Sequence, residues 1–181
     1  MINPFSFWNF QQQKVAFWLF FGITILFGVV MDFLSAPLIN SQAPFGIISF
    51  ELAATYSNAL NMINSWDDDA KLMGAIGLGF DYLFLLIYST TIALGCLIAS
   101  RQFTRPKLSR IGTMLASAQI VTAVSDSIEN VALIKLLLGS SWPNWASIAY
   151  YFALLKFVLI IAGIFYVLTS LIRMAAKSLN S

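Results

Sequence analysis

Residues 125–135 read SDSIENVALIK, two carboxylates, a carboxamide and a lysine in a run that otherwise has the character of a membrane span. How this run is read decides the fold, because lipid offers Asp126, Glu129 and Asn130 no partner.

Of the 181 residues, 59% are hydrophobic and 10% charged, where a soluble domain averages about 25% charged. The apolar residues gather in four stretches, 15–34, 72–99, 111–138 and 146–172. Each meets the roughly 20 residues needed to cross about 30 Å of hydrocarbon. The expected fold is all-α, a single four-span bundle over residues 1–181. Ser35-Ala36-Pro37 after the first stretch would suit a cleaved signal, but the apolar core is too long and only Lys14 precedes it, so it reads as a span.

The chain has no histidine and a single cysteine, Cys96. His-ligated haem, His-containing zinc sites, a histidine base and Cys-x-x-Cys redox chemistry are thereby excluded. The reading requires no cofactor and no metal.

Charge sets the orientation. Arg101, Arg105, Lys107 and Arg110 fill the loop between the second and third spans without an acid among them, which marks that loop as cytoplasmic. This accounts for the basic residues without nucleic acid. Lys14, Arg173 and Lys177 fall on the same side and put both termini inside, while Glu51 and Asp67–Asp69 outweigh Lys71 on the other. The aromatic N-terminal segment NPFSFWNFQQQ is expected along the inner interface.

Between the first two spans, Leu52, Tyr56, Ala59, Leu60, Ile63 and Trp66 recur at helical spacing, predicting a short amphipathic helix on the outer face after Ser49 as N-cap. Ser65-Trp66-Asp67-Asp68 fits a capping box opening the second span. Gly139–Trp145 forms a tight turn. Short connections make the last three spans antiparallel neighbours.

On the third span Gln119, Thr122, Asp126, Glu129 and Asn130 share one helical face, which must point into protein. Measured from the span midpoints at ~1.5 Å per residue, Asp126 falls near the middle, with Glu129 ~7 Å, Lys156 ~4 Å and Asp81 ~7 Å outward. Tyr88 follows Asp81 on the same face, with Thr91 and Gly95 continuing that stripe, and Gly163 follows Lys156 and permits close helix approach. Asp32 lies higher, and Lys135 can snorkel to the outer interface. The candidate ligand- or proton-binding residues are Asp81, Tyr88, Asp126, Glu129, Asn130 and Lys156. Three acids facing one lysine cannot stay charged in a dry site, so protons, a cation, a cationic ligand or water must enter.

Asp81-Tyr82-Leu83-Phe84 with Tyr88, the D-x-x-E-N of Asp126, Glu129 and Asn130, Lys156, FELA at Phe50–Ala53 and Ser65-Trp66 resemble a group of small uncharacterised bacterial four-helix integral membrane proteins. The likeness covers about residues 45–165. It implies a four-helix fold and a shared polar site, without an assigned activity.

Three functions stay open for the cluster. It can fix the helix order as a purely structural network. It can bind a small amphiphilic or cationic ligand or handle protons. It can serve an intramembrane lipid- or isoprenoid-modifying enzyme whose carboxylates act as general acid and base. The expected setting is a plasma membrane of the bacterial inner type. The expected partners are membrane lipids, a small hydrophobic or cationic ligand, and further copies of the chain in a homo-oligomer.

Overall fold

A computed structural model describes residues 4–179, with side chains as far as Arg173; Lys177 lies beyond the described side chains. Helix makes up 82% of the described residues, and no strand occurs among them. In chain order the helices are α1 (Phe10–Ser35), α2 (Ile47–Glu51), α3 (Tyr56–Ser65), α4 (Asp68–Ser100), α5 (Pro106–Leu137) and α6 (Asn144–Leu179).

Local chemistry explains the ends. α1 starts five residues before the expected Val15 because Asn9 and Gln12 cap it reciprocally, each side chain accepting the other's backbone N–H at 2.9 Å. α4 opens on Asp67, whose Oδ1 accepts the Ala70 N–H at 2.8 Å, with Asp68 and Asp69 in its first turn. The acidic triplet therefore serves the helix start, but Ser65 is not the cap; its hydroxyl donates to the Met62 carbonyl at 2.6 Å. α5 begins on Pro106, which gives up an N–H the first turn cannot use. It ends in a Schellman turn: Gly139 takes φ +82°, Ser140 N–H bonds Lys135 O, and Gly139 N–H bonds Leu136 O.

The single helix expected after Ser49 is interrupted, and only Tyr56, Ala59, Leu60 and Ile63 of its apolar stripe are helical, in α3. Ala54 turns the chain at φ +61°, and Thr55 restarts it by accepting the Asn58 N–H at 3.2 Å. Ser49 lies inside α2, and Leu52 and Trp66 fall outside both helices.

Phe10–Leu38, Asp68–Ser100 and Asn144–Arg173 are each long and apolar enough to cross a membrane. α5 has 32 residues, about 48 Å at ~1.5 Å each, but is more polar than these three.

The residues group into two compact units. One comprises residues 25–86 and 124–156. Its core joins Leu38, Phe50, Trp66, Leu78 and Leu133. Trp66 meets Phe50 edge to face at 5.3 Å, and its indole N–H donates to Leu38 O at 2.8 Å. The other comprises residues up to 24, 87–123 and from 157 on. Cys96, Leu97, Phe103, Ala116 and Tyr166 form its core. Here small residues let helices approach, as expected of Gly163: a Cβ on it would run into Ile92. Thr24 and Thr91 hydroxyls meet at 2.8 Å.

Candidate functional site

The site lies within the unit of residues 25–86 and 124–156 and is built around Lys156 of α6, 5% exposed. Asp126 and Glu129, three residues apart, share a face of α5 and meet it there. Lys156 Nζ donates to Asp126 Oδ1 at 2.8 Å and to Glu129 Oε1 at 3.0 Å, and Glu129 Oε2 lies 2.9 Å away. Asn130, the next residue of α5, donates through Nδ2 to Asp81 Oδ2 of α4 at 2.6 Å. Every one of these side chains is buried.

A further acid completes the group. Glu51 Oε2 stands 3.4 Å from Lys156 Nζ. It is carried by the last residue of α2, which Phe50 anchors by burying its ring against Trp66. Glu51 and Glu129 thus share one ammonium, with Lys156 Nζ 3.4 Å from Glu51 Oε2 and 2.9 Å from Glu129 Oε2. Both oxygens are buried, and besides the ion pair with Lys156 neither has a hydrogen-bond partner. A proton on either carboxyl would remove one of the excess negative charges. Burial pushes the Glu51 carboxyl above the ordinary carboxylate range; Lys156 opposes the shift and Asp126 adds to it.

Of the residues expected at the site, Asp126, Glu129 and Lys156 are brought into direct contact, and Asp81 pairs with Asn130. Tyr88 is buried further along α4. Asp32 and Lys135 are exposed. Gln119 shares the polar face of α5, but its amide donates to Leu159 O and Leu115 O. Thr122 turns its hydroxyl back to Ala118 O.

Glu51 is the residue that sequence reading placed elsewhere, among the outer-loop charges. Its signal is local: one acid in the apolar run IISFELA, where a solvated loop would carry more polar company.

Fold and site together define a class: an all-helical protein with membrane-length apolar helices and a buried lysine ion-paired to three acids. The chain matches no protein-family model, no curated protein and no solved structure.

Proposed function

We propose that the protein crosses an inner-type bacterial plasma membrane four times, with both termini inside, and that its Glu51–Glu129–Lys156 cluster binds and releases protons near the outer side. On this reading it joins the small four-helix membrane proteins it resembles, as a single four-span domain with α3 as its outer amphipathic helix.

Support for the fourth crossing comes from the surface of α5, which is inside out. Ile120, Val121 and Val124 are about half exposed, at 59%, 49% and 54%, while Ser125, Asp126, Glu129 and Asn130 are at most 1% exposed. Water rewards the opposite arrangement; lipid rewards this one. Support for the orientation is the basic Arg101–Arg110 connection set against the acidic residues of 51–69.

The observation that carries proton binding is that Glu51, Asp126 and Glu129 all lie within 3.4 Å of one ammonium, more negative charge than that ammonium can neutralise. Four buried carboxyls, Glu51, Asp81, Asp126 and Glu129, stand against one ammonium. Leaving the excess charged in a low-dielectric interior costs several kcal/mol per ion, and a proton removes that cost without needing space. The seat a cationic ligand would take is filled by Lys156 itself, within 3.4 Å of three carboxyls.

Infrared spectroscopy of the detergent-solubilised protein tests this. At neutral pH a carbonyl stretch of protonated carboxylic acid, shifted in heavy water, is expected, and Glu51→Gln with Glu129→Gln should remove it. Wild-type protein with no such band at neutral pH would overturn the proposal.

A further inference from the structure

All eight Asp and Glu residues of the chain fall in residues 25–86 and 124–156. The other unit has none, yet it contains Lys14, Arg101, Arg105, Lys107, Arg110 and Arg173, all exposed. Among the described residues none of these six forms an ion pair.

Two of these cations converge. Lys14 Nζ lies 4.6 Å and Arg101 Cζ 4.5 Å from the centroid of the Phe10 ring. Sharing one ring keeps the two positive charges within about 9 Å of each other. Arg173 is placed in the same way, 5.0 Å from the Phe103 ring, which itself packs against Tyr166 at 5.2 Å. Aromatic faces hold the cations in place and leave their charge uncompensated. Phe7, 71% exposed, and Trp8, stacked on Phe5 at 5.4 Å, precede Phe10 in the chain and bring the ring chemistry that settles at headgroup depth.

We infer that Lys14 and Arg101, gathered on Phe10, form a binding site for the phosphate of an anionic phospholipid headgroup. A guanidinium presents a fork of donors to two phosphate oxygens, and the ammonium adds a point charge beside it. A zwitterionic headgroup brings its own cation into a site that already holds two and has no carboxylate to receive it. The site therefore selects net negative lipids. The inference rests on the membrane reading above, whose separate failure would show as a chain that stays in solution without detergent; it is independent of the proton cluster.

Native mass spectrometry of the full detergent-solubilised chain decides it, with dioleoylphosphatidylglycerol and dioleoylphosphatidylcholine as probes. At roughly 1 kcal/mol per basic residue near the headgroups, two cations predict about thirtyfold preference for the anionic lipid. Lys14→Gln with Arg101→Gln should abolish the preference. Lys71→Gln with Lys135→Gln removes the same charge elsewhere and should leave it intact. Equal occupancy of the wild-type protein by the two lipids overturns the proposal, and so does an equal fall in both double variants. Displacement of the anionic lipid by inorganic phosphate alone would mean a free-phosphate site and would also overturn it.

Discussion

Glu51 Oε2 lies 3.4 Å from Lys156 Nζ, although Glu51 closes a five-residue helix in the α1–α4 connection and Lys156 sits in the 36-residue α6. The connection is therefore part of the site. Its apolar side packs through Phe50 and Trp66, and its one buried charge is held by the same ammonium that holds Asp126 and Glu129.

Lys156→Met should be the most damaging single substitution in the cluster. It leaves Glu51, Asp126 and Glu129 buried without a cation, and removing one partner of a buried pair costs about 3–5 kcal/mol. Adding Asp126→Asn and Glu129→Gln removes two of the three stranded charges and should recover much of the loss. Thermal unfolding of the three proteins in one detergent measures this; no recovery in the triple variant would mean that packing, not charge, is what Lys156 supplies.

Glu51 gives the pH dependence a definite sign. Burial raises its carboxyl in the folded protein above its unfolded range, so its contribution to stability is complete at acid pH. The contribution is lost as pH rises through the raised folded value. A single group of this kind lowers unfolding free energy by at most about 1.4 kcal/mol per pH unit across that window. Glu51→Gln should flatten the decline, measured by thermal unfolding from acid to neutral pH, and an unchanged slope would exclude Glu51 as its source.

Sequence reveals the long helices and most of the cluster because both follow from spacing. Asp126, Glu129 and Asn130 share a helical face, and Asp81 and Lys156 are charges stranded in apolar runs. Glu51 does not follow from spacing. Its position depends on a chain reversal at Ala54, on Thr55 capping α3, and on Phe50 finding Trp66, contacts made by residues distant in sequence or held in an unusual backbone conformation. The early start of α1 was hidden for a different reason, since a polar QQQ run looks like a border until Asn9 is seen to pair with Gln12.

Gly139 and Gly112 should resist alanine for different reasons. At Gly139 a Cβ meets no atom within 4 Å, but φ is +82°, so Gly139→Ala should cost about 1 kcal/mol and Gly139→Asn less. At Gly112 a Cβ would collide with the Tyr166 ring and with Ser100, so Gly112→Ala should cost about 1–3 kcal/mol through displaced packing. Only the Gly112 variant should also lose the Tyr166 hydroxyl bond to Leu108 O, seen as a change in tyrosine fluorescence or ultraviolet absorption.

Val124 separates a membrane-crossing α5 from one in water. It is 54% exposed, and its neighbours Ser125 and Asp126 are each 1% exposed. If α5 faced water, Val124→Asp would be an ordinary surface change within about 0.5 kcal/mol. In lipid the same carboxylate costs about 2.5–3.5 kcal/mol at the centre of a crossing helix. The variant should therefore insert poorly and lose protease protection in membrane vesicles. Val124→Leu keeps this surface apolar and should insert like the wild type. Equal protection of the aspartate and leucine variants would remove α5 from the membrane, and with it the low-dielectric setting that makes an unprotonated Glu51–Glu129 pair so costly.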